Sequence, residues 1–108
     1  MAEKNMKLLQ VDFAYPNLMG STLSEGMIEL ANSINEETGL IWKIWTEQIK
    51  DKRGGGIYLF DSEANAERYL QMHSKRLQTM GASDIRGIIF DVNLPLTRIN
   101  QGPVPQEG

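Results

Sequence analysis

This chain of 108 residues contains no cysteine and a single histidine, His73. Without cysteine there is no disulfide framework, no thiolate metal cluster and no cysteine nucleophile. With one histidine, multi-histidine metal centres are excluded too, because only carboxylates remain as further ligands. Positive charge is also scarce: 11 Lys and Arg stand against 14 Asp and Glu, for a net charge of -3 and a pI near 5.1. That balance argues against a protein that lives on phosphate backbones or anionic membranes. No apolar run approaches membrane-spanning length, and no apolar signal-peptide stretch follows Met1-Ala2-Glu3-Lys4-Asn5. The expectation is a soluble cytoplasmic protein with no nucleic-acid or membrane partner.

The composition that is present, 41% hydrophobic and 23% charged, is that of a globular chain, and 1–108 is the right length for one domain with one core. "KLLQVDFAY" (Lys7–Tyr15) predicts a first strand. Thr22 and Glu25 fit a capping box, and Leu23, Met27, Leu30, Ala31 and Ile34 recur at helical spacing, with Gly39 as the left-handed stop. A second strand runs from Leu40 to about Ile49, "KDKRGGG" reads as a charged turn, and a third strand runs from Gly56 to Phe60. Asp61 or Ser62 caps a second helix reaching Met80, whose stripe is Ala66, Tyr69, Leu70, His73, Leu77 and Met80. Asp84–Asn93 is a fourth strand, and the proline-rich 94–108 segment reads as an extended tail.

The order β-α-β-β-α-β predicts an α+β, ferredoxin-like protomer: a four-stranded antiparallel sheet with two helices on one face. Side chains alternate along a strand. Leu40, Trp42 and Ile44 therefore share one face and Ile41, Lys43, Trp45 and Glu47 the other, while Ile57 and Leu59 oppose Tyr58 and Phe60. Apolar bulk lies on both faces, but helices cover only one. The uncovered face is larger than soluble monomers usually tolerate, so the expected cover is a second copy of the chain on a two-fold axis. Leu94, Leu96 and Ile99 are expected to pack on that partner.

Several residues carry candidate chemistry. His73 sits in the core-facing stripe of its helix, where it reads as a half-buried histidine bonded to backbone, as a general acid/base, or as an axial ligand to haem iron. Trp45, flanked on its face by Lys43 and Glu47, reads as a shielded interface or as the wall of a pocket for an aromatic molecule. Trp42 reads as core, or as the pocket wall if the faces are exchanged; Tyr58 reads as a cross-strand packer or a hydrogen-bond donor. The Gly54-Gly55-Gly56 run matches no phosphate-binding pattern. "RGGGIYLF" (Arg53–Phe60) partly fits the RNA-recognition signature, but Gly55 and Ile57 stand where the base-stacking aromatics belong.

The stretches "INEETGLIWKIWTE" (Ile34–Glu47), "GGIYLF" (Gly55–Phe60) and "FDVNLPLTRIN" (Phe90–Asn100), with the Tyr69-Leu70 and His73–Leu77 spacing, resemble the YdhR-type monooxygenases of the dimeric α/β-barrel superfamily. The resemblance implies a homodimer built sheet against sheet, with a ligand held in each protomer between helices and sheet. It also implies oxidation of a small phenol- or quinol-like compound by dioxygen, with no metal or flavin cofactor. In that reading Glu47 or His73 is the base, Tyr58 a donor to the substrate oxygen, Trp45 a stacking wall with Trp42 as its substitute, and Lys43 a counter-charge. Relatives that degrade haem imply the alternative, with His73 on the iron. Asn35 matches neither group's asparagine clearly. A non-catalytic small-molecule binding module is the third reading.

Overall fold

Seven elements follow one another in the computed structural model, which describes residues 6–15 and 25–105, the side chains from 27 onward in the second stretch. They are β1 (Lys7–Ala14), α1 (Glu25–Ile34), β2 (Leu40–Gln48), β3 (Arg53–Phe60), α2 (Glu63–Thr79), β4 (Ser83–Asp91) and α3 (Leu94–Ile99). The sheet is antiparallel throughout, in the order β2-β3-β1-β4, which is the ferredoxin-like arrangement. Leu9 and Val11 of β1 and Tyr58 and Phe60 of β3 form the core with Ile34 of α1 and Ala66, Tyr69 and Leu77 of α2. Both long helices thus cover one face of the sheet.

Local chemistry explains the element ends. Ser62, in extended conformation, accepts a hydrogen bond from the Asn65 amide at the start of α2. Gly81, at φ +97°, follows the last turn of α2 in the left-handed conformation that favours glycine. The proposed Thr22 cap lies outside the described residues. Gly39 does carry a positive φ of 84°, but α1 ends at Ile34, so Gly39 serves the turn into β2 instead.

Three expectations need correction. The β2–β3 turn is confined to Ile49–Lys52, where Lys52 takes the positive φ; Gly54, Gly55 and Gly56 are buried residues within β3. In β2, the pairing with β3 slips between Leu40 and Trp42. This bulge absorbs one residue and shifts the alternation. Leu40, opposite Phe60, therefore joins Lys43, Trp45 and Glu47 on the helix face, while Trp42 and Ile44 point the other way. The tail, finally, is not extended. Asn93 caps the amide of Leu96 and Pro95 occupies the first turn, a position that needs no amide hydrogen, so a short helix forms.

This C-terminal segment packs on the chain's own sheet, on the side away from α1 and α2. Leu94 is buried against Met6 and Leu59, and Trp42 Nε1 donates to the Pro103 carbonyl at 2.7 Å. The cover is incomplete: Ile44, Ile88 and Phe90 remain 52%, 50% and 42% exposed on the same face, and Leu96 and Ile99 project into solvent. Among the described residues no helix is long and apolar enough to cross a membrane.

Candidate functional site

Between α1, α2 and the β2–β3 half of the sheet lies a cavity of about 60 Å³, room for more than one water. Phe13, Leu30, Leu77 and Trp45 supply most of its apolar wall, and Lys43, Tyr58, His73 and Glu47 its polar groups. The glycines of β3 leave space for it. A Cβ added to Gly56 would stand 2.7 Å from Lys43 Cε and 3.0 Å from the Tyr58 ring, so any side chain here would displace the residues above it. Trp45 and Glu47 are exposed, and the cavity meets solvent beside them.

Register places the polar groups. Lys43 is paired with Tyr58, and Trp45 with Gly56, so the lysine stem lies over the tyrosine and its head folds onto the tryptophan. Lys43 Nζ lies 3.4 Å from the Trp45 ring centroid and 4.7 Å from that of Tyr58, within cation–π range. No carboxylate pairs with it among the described residues. Burial, helped by the nearby Arg76 charge, pushes the Lys43 ammonium down to about 7, because a desolvated cation without a counter-ion gives up its proton readily.

His73 is 3% exposed and stacks on Tyr69 with ring centroids 4.9 Å apart. Its partner is a side chain and not the backbone: Arg76 donates to Nδ1 from Nε at 3.2 Å and from Nη2 at 2.9 Å. A guanidinium can only donate. Nδ1 must therefore keep its lone pair, and the ring hydrogen sits on Nε2. Burial, then the Arg76 and Lys43 charges, push His73 down to about 3. It is a neutral donor at physiological pH and too weak a base to hold a proton.

A second arm leaves the same guanidinium. Arg76 Nη2 lies 3.5 Å from the Tyr69 hydroxyl, which in turn donates to the Tyr58 hydroxyl at 3.3 Å. Since Arg76 occupies the acceptor side of Tyr69, the Tyr69 hydrogen turns to Tyr58, whose own hydrogen is left for a cavity occupant. Burial and the neighbouring Tyr69 raise the Tyr58 phenol far above its ordinary value, so it stays protonated.

Lys43, Trp45, Glu47, Tyr58 and His73 thus line one cavity. Trp42 does not: it lies across the sheet under Pro103 and cannot act as a pocket wall. Asn35 is exposed in the turn after α1 and is not part of the lining. Arg76 and the glycine floor escaped the reading of the sequence, although Arg76, three residues beyond His73 on a helix, shares its face. Among the described residues no group of three His, Asp or Glu side chains could hold a metal. Haem fits poorly as well. Axial ligation through Nε2 requires the hydrogen on Nδ1, usually donated to a carboxylate or carbonyl, and here Nδ1 faces two guanidinium N–H groups.

No curated protein matches the chain. The model of the family described as "Putative mono-oxygenase ydhR" matches residues 8–103, a span that holds the cavity and every helix. With the match extending over nearly the whole sequence, the chain belongs to the ydhR mono-oxygenase family.

Proposed function

We propose that this mono-oxygenase oxidises a small phenol- or quinol-like aromatic with dioxygen, and that it does so without metal or flavin. The observation that carries this reading is the cavity itself: largely apolar, walled by Trp45, and lined by one half-buried amine, Lys43, with no acidic partner among the described residues. A flat ring stacks well on an indole, and because the enclosed space is only about 60 Å³ the ring would extend into the open mouth beside Trp45. A half-buried cation without a paired carboxylate favours an occupant that becomes an anion.

The chemistry needs little from the protein. Ground-state dioxygen reacts slowly with closed-shell organics, but a phenolate is electron-rich enough to reduce it. For a phenol going to a quinone the balance closes without another reductant. The ring loses one C–H and one O–H hydrogen and gains one oxygen, giving up four electrons. Dioxygen accepts all four, with one atom entering the ring and the other leaving as water. The protein must hold the phenolate, shed water from it and keep oxygen beside it. Tyr58 O–H and His73 Nε2–H serve as donors to the substrate oxygen, and Lys43 supplies the compensating charge.

A second copy of the chain is the proposed partner. Ile44, Ile88 and Phe90 form an apolar strip on the sheet face that α3 leaves open, and a two-fold related sheet would bury it.

Oxygen uptake tests the reaction. Purified protein, treated with chelator and free of flavin, should consume oxygen and release a quinone with at least one member of a panel of phenols and hydroquinones. Uptake at background across the panel, while the same compounds quench tryptophan fluorescence, would instead identify a binding module.

A further inference from the structure

The cavity contains three groups that a phenol could meet with a proton to give, and the geometry separates their roles. Glu47 also lines the cavity, but it is exposed where Lys43 is half-buried. His73 is buried in the right place, but its only free lone pair is taken by two Arg76 donors. Lys43 alone combines a position inside the cavity with an unclaimed nitrogen.

We propose that Lys43 is the general base of the reaction, taking the phenolic proton as a neutral amine, while Arg76 positions His73 and, through Tyr69, Tyr58 as hydrogen-bond donors to the resulting phenolate. This assignment rests on the phenol-oxidising reading above and identifies the residue that starts it. The step is a proton transfer only: the phenol O–H bond breaks, an N–H bond forms at Lys43 Nζ, and a neutral pair becomes phenolate and ammonium. Once the bound ring has displaced water that pair attracts strongly, and two fixed donors meet the new anion without reorganising. Because the Lys43 amine is brought to about 7 by burial and by Arg76, a substantial fraction is already unprotonated at neutral pH, where a base works best.

The groups facing Lys43 are consistent with this role. From β3 comes the Tyr58 ring; from α2 come His73, Arg76 and, behind them, Tyr69. Trp45 and Glu47 flank it on its own strand. Among the described residues α1 contributes Met27 and Leu30 to the lining, which carry no charge, and the β1 side contributes Phe13 and the phenol of Tyr15. One guanidinium therefore has two effects: it lowers the basicity of both Lys43 and His73, and it occupies the His73 lone pair that would otherwise compete with Lys43 for the proton.

Two measurements test this without turnover, so either can fail while the oxygen-uptake result stands. The first uses 4-nitrophenol, whose anion absorbs in the visible. Bound to the wild-type protein, it should ionise at least about one pH unit below the free compound, roughly a tenfold change in its ionisation constant. In Lys43→Met the bound probe should ionise at or above the pH of the free compound. His73→Gln should weaken binding and reduce the shift without abolishing it. A shift that survives Lys43→Met, or that vanishes in Glu47→Gln or His73→Gln instead, overturns the assignment. So does a wild-type protein that leaves the probe's ionisation unchanged. The second exploits the single histidine. Its imidazole nitrogens should show the Nε2–H tautomer with no titration from pH 5 to 8, and in Arg76→Met the preference for that tautomer should be lost while burial still keeps the ring neutral. A wild-type histidine that titrates in that window would remove Arg76 from the positioning role.

Discussion

Replacing Lys43 by methionine should change how the fold responds to alkali. In the folded chain the Lys43 amine loses its proton near pH 7, whereas in the unfolded chain it does so near its ordinary value, about 10.4. Between those limits the unfolded state binds one more proton, so stability must rise with pH there and flatten outside. His73 and the tyrosines set the usable window. Above about pH 7.5 a histidine is neutral whether folded or unfolded, and below about 9.5 an ordinary tyrosine keeps its proton in both states. Over those two pH units the wild-type protein should gain about 2 kcal/mol, close to the ceiling of roughly 1.4 kcal/mol per unit for a single group. Lys43→Met removes the group and should gain almost nothing over the same range. Urea unfolding followed by tryptophan fluorescence at several pH values gives both curves. Parallel curves for the two proteins would mean that the amine is solvated and normal, and the base assignment would lose its physical footing.

Two further outcomes follow from the packing. Gly56→Val should push Lys43 off Trp45 and displace the Tyr58 ring, abolishing the quenching of tryptophan fluorescence by phenols while costing about 1–3 kcal/mol in overpacking; retained quenching would show that the ring binds elsewhere. Ile88→Lys, on the open sheet face, should shift the sedimentation of the protein from a dimer to the 12.2 kDa chain. An unchanged sedimentation coefficient would mean that this face is not the interface.

Much of this was legible in the residues. Helical spacing in α2 put Tyr69, His73 and Leu77 on one buried stripe, because a 3.6-residue period admits only one face. Strand alternation likewise put Lys43, Trp45 and Glu47 together, and Tyr58 with Phe60. Those periodicities are local, so the sequence carries them by itself. What failed was local chemistry overruled at a distance. Gly54-Gly55-Gly56 has the composition of a turn, yet lies inside β3, because Val11, Asp12 and Phe13 of β1 pair with those glycines and the ladder outweighs their weak strand preference. Leu40 changed faces because a bulge leaves no mark in a run of strand-forming residues. The prolines of the tail suggested extended chain, but Asn93 could cap a turn and Leu94 could be buried only where Met6 and Leu59 already waited. The protonation states were furthest from view. Lysine 43 and histidine 73 are ordinary residue types. Their low basicity comes from burial and from the Arg76 guanidinium, a helical neighbour of His73 that the fold also brings near Lys43; the burial and that second approach are what only the tertiary structure decides.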